Sequence, residues 1–253
     1  MRIALAGLVL AATAAEAARP AAAQPSVSAA LGFETRYLFR GVQFAGSSFQ
    51  PAVTVGYQGL YLTGWANLPV GDEDLSSFGG EEIDVVAGYS APLSDLVTID
   101  VGVTYYTFPN LDAGFFDIYE EDGDGLGANT LEPYLGFAFK APLSPKIYLY
   151  RDFMFDTFTA QGALAHSVPL AGAFSLDLSG IVGYVFDDDP GNDYLYGHAT
   201  ANVSHPLSDS AAFYVGARFG GSDIAGGSVF DDASLGTTKS NGFWFGMGLS
   251  ASF

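Results

Sequence analysis

Glu34, Arg36 and Arg40 sit an even number of residues apart in a stretch otherwise made of Thr, Tyr, Leu and Phe. Positions an even number apart share one face of a strand, because strand side chains alternate with a period of two. Carboxylates and guanidiniums gathered on one face support two chemistries. They can form ion pairs that fill an enclosed space, or a charged constriction that sorts solutes by sign. The same reading along the chain puts Asp84, Asp100, Glu132 with Tyr134 and Lys140, Asp177, His198 with Thr200 and Asn202, and Arg218 with Tyr214 on polar faces. Most basic residues beyond the first two dozen positions therefore fall where acids also lie. Both chemistries stay open at this level.

Catalysis and cofactor binding find little support. There are 3 histidines. His166 and His205 lie just before proline-containing turns, His198 is inside a segment, and none adjoins a nucleophile signature. The chain has 0 cysteines, which removes thiol chemistry, Cys-ligated metals and a disulfide-stapled fold. Glu121-Asp122-Gly123-Asp124-Gly125 carries the oxygens and glycines that hard cations favour, but lacks the calcium-loop register and its distal Glu. The acidic loops are therefore expected to hold divalent cations only weakly. Gly127 and Gly248 have no phosphate-loop context. No cofactor, catalytic residue or metal ligand is expected. A net charge of −19 and a pI near 4.1 argue against nucleic-acid binding, which needs a basic footprint.

The elements that must position the charged faces are clearest at the end of the chain. Phe243, Phe245, Met247, Leu249, Ala251 and Phe253 alternate with Trp244, Gly246, Gly248, Ser250 and Ser252. One face is oily and the other small or polar, over the roughly 9–11 residues that a tilted strand needs to cross a bilayer. Charged residues make up only 15% of the chain, against about 25% in soluble proteins. Alternating segments recur at 27–40, 49–57, 60–68, 82–91, 96–108, 130–141, 146–154, 157–168, 173–186, 194–205, 210–220 and 241–253. An even number of strands returns both chain ends to the same side, as single-chain bacterial barrels require. In the first segment Leu31, Phe33, Thr35, Tyr37 and Phe39 are expected to face lipid, with Gly32, Glu34, Arg36, Leu38 and Arg40 facing inward. Arg151 breaks the pattern by grouping with Ile147 and Leu149, which calls for a membrane-edge position or a bulge. Gly246, Gly248 and Ser250 are expected to leave room for Arg36 and Arg40.

The links between segments are of two kinds. Gln58-Gly59, Pro92-Leu93-Ser94-Asp95, Pro142-Leu143-Ser144-Pro145, Pro169-Leu170-Ala171-Gly172 and Pro206-Leu207-Ser208-Asp209 are tight turns. At the other end, links 69–80, 109–129, 187–193 and 221–240 are longer and acidic, while those near Ala45-Gly46 and Asp156 are short. Short turns at one end and long loops at the other is the layout of outer-membrane barrels. A soluble β-sandwich does not account for it. Arg2, the apolar run 3–12 and the small-residue sites Ala15-Glu16-Ala17 and Ala21-Ala22-Ala23 read as a secretion signal over residues 1–23. Cleavage is expected before Gln24, with the earlier site as the alternative. No apolar run reaches the ~18 residues of a membrane helix.

Several motifs carry a resemblance. Thr35-Arg36-Tyr37-Leu38-Phe39-Arg40-Gly41-Val42, Gly59-Leu60-Tyr61-Leu62-Thr63-Gly64-Trp65-Ala66-Asn67, Glu82-Ile83-Asp84-Val85-Val86-Ala87-Gly88-Tyr89 and Tyr105-Tyr106-Thr107-Phe108-Pro109 follow one another as in the TorF-like porins, a family first catalogued as bacterial proteins of unknown function. The chain resembles that family over about residues 30–150. It departs at Arg36, where Ser or Asp is usual, and at Val86, where Tyr is common. The resemblance implies an outer-membrane barrel of the Gram-negative type, without catalytic residues. The terminal Phe253 is similar to the aromatic signal read by the barrel-assembly machinery.

The expectation is an all-β fold: a signal over 1–23, then an antiparallel up-and-down transmembrane barrel of about twelve strands over 24–253, set in outer-membrane lipid. It is expected to pass small hydrophilic solutes or ions passively. Its lumen would be lined by Glu34, Arg36, Arg40, Asp84, Asp100, Glu132, Lys140, Asp177, His198 and Arg218. The rival is a closed structural or adhesive barrel whose acidic loops bind partners or divalent cations.

Overall fold

The computed structural model describes residues 25–71, 80–110, 114–116, 118, 129–188, 191–224 and 241–253. Residues 1–23, where a secretion signal is expected, and most acids of the long loops, Glu121 to Asp124 included, lie outside the described residues.

Backbone groups of alternating segments cannot satisfy themselves, so each segment pairs with its neighbours until the last meets the first. The strands are β1 (Ser26–Glu34), β2 (Tyr37–Phe39), β3 (Val42–Ala45), β4 (Ser48–Tyr57), β5 (Leu60–Pro69), β6 (Glu82–Pro92), β7 (Val97–Thr107), β8 (Thr130–Phe139), β9 (Lys146–Asp152), β10 (Thr157–Pro169), β11 (Ser175–Phe186), β12 (Tyr194–Pro206), β13 (Ala211–Ser222) and β14 (Asn241–Ser252). Twelve of them form a closed antiparallel barrel in which β1 pairs with both β4 and β14, while β2 and β3 form a separate two-stranded sheet. Among the described residues, no helix is long and apolar enough to cross a membrane.

The barrel has the expected strand number, and its strand ends fall close to the expected ones, with one exception. The first segment does not run to residue 40. It stops at Glu34, which pairs directly with Ser48; Thr35 and Ser47 each add one backbone bond to the wall, at Phe245 and Val70, and the residues between them leave it. Those residues make the β2–β3 hairpin, whose turn residues Arg40 and Gly41 both have positive φ, 47° and 78°. Two positive φ values mark the turn that matches strand twist. The link near Ala45-Gly46 is thus one arm of this hairpin, not a short loop between barrel strands.

Side chains are distributed inside out. The largest fully buried ones are Tyr148, Glu82, Glu132, Asn67, Asn129, Asn202, Thr159, Asp84, Asp152 and Ser48, every one with a polar atom. Outward positions carry apolar groups that stay uncovered, such as Leu62, Val182, Val215 and Phe245 at 50–58% exposure. A continuous uncovered apolar belt is unlike a soluble monomer's surface. The tight turns lie at the end where the chain starts and finishes. Gln58 and Gly59 form one of them, with φ of 51° and 89°.

Candidate functional site

The site is the barrel interior together with the hairpin that enters it. Tyr37, Phe39 and Phe44 would be poorly placed in water, and their partners are inside the barrel. Tyr37 packs on Trp65 of β5 with ring centres 5.4 Å apart, and Phe39 on Tyr106 of β7 at 5.8 Å. Leu38 rests on Trp244 of β14. Tyr37 and Phe39 therefore do not face outward as the alternation implied. A period of two orients a side chain relative to its own strand, and this strand is not in the wall.

The hairpin tip crosses the lumen. Arg40 Nη2 donates to Glu132 Oε2 of β8 at 2.6 Å, with side-chain exposures of 9% and 0%. Tyr106 O–H donates to the other Glu132 oxygen at 2.9 Å. The guanidinium also lies over Phe39 and Tyr150, 4.7 and 5.1 Å from the ring centres. Ser222 Oγ of β13 donates to the Gly41 carbonyl at 3.2 Å. The tip is thus tied to walls on opposite sides of the barrel. Arg36 Nη1 reaches Gln43 Oε1 on the other hairpin arm at 3.3 Å.

A second ion pair joins barrel strands without the hairpin. Arg218 on β13 donates to Glu34 of β1 at 2.9 Å and to Asn202 of β12 at 2.8 Å. The planar guanidinium suits such two-way bridging. Glu34 occupies the space over Gly246, where a Cβ would overlap its carboxylate, and Tyr214 lies over Gly248. The small residues of β14 therefore make room for Glu34 and Tyr214, not for Arg36 and Arg40.

Toward the short-turn end the polar contacts are tyrosine to carboxylate. Tyr61 and Tyr148 donate to the two oxygens of Asp100 at 2.8 and 2.9 Å, and the Tyr61 and Tyr134 hydroxyls are in contact. Tyr148 lies against Gly136 so closely that a Cβ there would overlap the ring. Inward glycines let these rings lie along the wall.

Of the ten expected lumen residues, Glu34, Arg36, Arg40, Glu132, His198 and Arg218 line one cavity of ≈140 Å³. Asp84 lies beneath the hairpin. Asp100 is held by tyrosines, and Asp177 by Ser167 and Ser175 at 2.6 and 3.3 Å. Lys140 is a correction: it lies beyond the end of β8, exposed in the turn. Its parity was right, but the wall ends before it. Arg151 faces outward at the long-loop rim, 2.5 Å from Asp156 and 3.7 Å from Asp188, so its edge position explains it. Glu82 and Asp152 were missed. Both are buried, and Glu82 shares the parity of Asp84, so alternation alone could have found it. No group of three or more metal-ligating side chains occurs among the described residues.

Residues 15–140 match the family described as "Bacterial protein of unknown function (Gcw_chp)", a span just short of half the chain. No match was found among curated proteins. Among solved structures, a KdgM porin superposes with a TM-score of 0.54 at 12% identity, over 90% of this chain and 99% of that one. A KdgM porin in complex with disordered oligogalacturonate gives 0.54 at 11% identity, over 90% and 99%. A NanC porin gives 0.54 at 12% identity, over 89% and 98%. The chain has the fold of these porins.

Proposed function

We propose that residues 24–253 form an outer-membrane channel through which small hydrophilic solutes or ions diffuse passively, after removal of a signal over 1–23. The observation that carries this reading is the inside-out barrel: an apolar belt outside, and a polar interior with a cavity of ≈140 Å³ lined by Arg40, Glu132, Arg218 and Glu34. Water-filled barrels with polar lumens conduct, and charged groups at a constriction set which solutes pass. The porin fold supports it.

One relative holds oligogalacturonate, an acidic sugar chain. In this chain Arg36, Arg40 and Arg218 face Glu34 and Glu132 along the cavity, while Glu82, Asp84, Asp100 and Asp152 lie outside its lining. A lining that carries both signs suits small hydrophilic solutes. The test is conductance of the purified protein in planar bilayers. Discrete conductance steps are expected. Their absence would favour the closed barrel that the inserted hairpin could also make.

A further inference from the structure

Two carboxyls beneath the hairpin are not explained by the ion pairs described above. Glu82 and Asp84 point inward from β6, opposite Asn67 and Trp65 of β5 in the ladder. They are 2% and 0% exposed. Among the described residues, no hydrogen-bond donor reaches either oxygen of Asp84 or Oε2 of Glu82, and no acceptor takes the Trp65 indole N–H. The hairpin covers this corner, with Tyr37 set against Trp65, its hydroxyl hydrogen-bonded to Glu82 and close to Asp84, which it leaves without a donor. Among the described residues, the other titratable groups around the pair are Tyr106 of β7, Glu132 of β8 and Asp152 of β9, which lines a small cavity with Glu82. Arg40 could neutralise the corner, but its guanidinium is bound to Glu132 at 2.6 Å.

A carboxylate needs donors, whereas a carboxylic acid brings its own. With a proton on Glu82, that group can donate to Asp84 and the covered corner is satisfied. With both ionised, two like charges lie side by side in a covered seat, where Tyr37 meets only Glu82 and Arg40 is bound to Glu132. Water would satisfy them, but the hairpin is in the way. The barrel ladder needs little of it: Glu34 and Ser48 pair directly across its base, and among the described residues backbone-to-backbone bonds to the wall come only from its ends, Thr35 to Phe245 and Ser47 to Val70.

Building on the channel reading, we propose that the hairpin 35–47 is a proton-controlled plug, seated while Glu82 and Asp84 retain a proton and lifted from the lumen when both ionise. Protons bound to the seated form favour that form, so acid closes the channel and rising pH opens it. Lifting also withdraws Arg36 and Arg40 and bares Glu82, Asp84 and Glu132. The open lumen is then cation-selective.

The experiment is single-channel recording of the full chain and three variants between about pH 5 and pH 8; wherever the seated form holds a proton that the lifted form releases, the seated-to-lifted ratio changes by up to about tenfold per pH unit. The wild type should open with rising pH. Asp84→Asn alone should flatten that response, and Glu82→Gln with Asp84→Asn should stay closed throughout. Replacing residues 35–47 by Asn-Gly, a two-residue turn suited to closing β1 onto β4, should leave a barrel open and cation-selective at every pH. Heat-modifiable mobility in detergent gels verifies that each variant is folded. The plug is refuted if the double variant keeps the wild-type pH response, or if the hairpin-less barrel conducts no better than the wild type at pH 5. If the folded hairpin-less barrel does not conduct at all, the channel reading falls with it.

Discussion

Arg40→Ala is the sharpest test of how the hairpin is held. The substitution removes a guanidinium that is 9% exposed and leaves Glu132, 0% exposed, without its cation. Charges about 4 Å apart at an effective dielectric constant near 20 attract by about 4 kcal/mol. Truncating one partner of a buried pair typically costs 3–5 kcal/mol, most of it the penalty of the abandoned charge. Tyr106 still donates to Glu132 at 2.9 Å, so the lower end, about 3 kcal/mol, is expected here. Alanine also inherits the positive φ of 47° and gains nothing by relief of the turn. At 1.4 kcal/mol per factor of ten, the seated-to-lifted ratio should fall by roughly 150-fold. Adding Glu132→Gln removes the stranded charge and should recover about 1–2 kcal/mol of the loss. Two assays read this at fixed pH: the reversal potential in a salt gradient, which should move toward cation selectivity, and trypsin cleavage after Arg36, which should accelerate. If the single and double variants lose the same amount and the reversal potential does not move, the Arg40–Glu132 pair neither holds the hairpin nor forms the constriction.

Three further outcomes are expected. Gly136→Ala should displace Tyr148 from its contact with Asp100 and cost about 1–3 kcal/mol in urea unfolding from micelles, whereas Gly64→Ala, with nothing within 4 Å of the new Cβ, should stay within about 0.5 kcal/mol. Arg151→Ala should change stability by less than about 1 kcal/mol, because its partners Asp156 and Asp188 are 51% and 71% exposed, while Val215→Arg on the outward face should cost about 2–4 kcal/mol in lipid vesicles. Arg218→Lys should keep one of its two bridges, to Glu34 or to Asn202, and lower thermal stability more than Arg151→Ala does; equal effects would contradict the bridging role.

The sequence alone determined the wall. Eleven of the twelve barrel strands lie within a few residues of the segments read from alternation, because membrane strands must put apolar atoms out and polar atoms in at every second residue. Parity likewise assigned Glu34, Asp84, Asp100, Glu132, Asp177, His198 and Arg218 to the inside. It failed at Thr35 to Arg40, where the period of two runs unbroken from the end of β1 into β2. Nothing local marks the point where the strand leaves the wall, since a polar lumen accepts a hairpin as readily as the wall accepts a strand. That choice rests on contacts far away in the chain. Arg40 meets Glu132 across 92 positions, Ser222 meets Gly41 across 181, and Arg218 meets Glu34 across 184. Only closure of the barrel brings these groups within reach of one another. The tertiary structure therefore decided which charges pair, which are left covered and unpartnered, and what occupies the lumen.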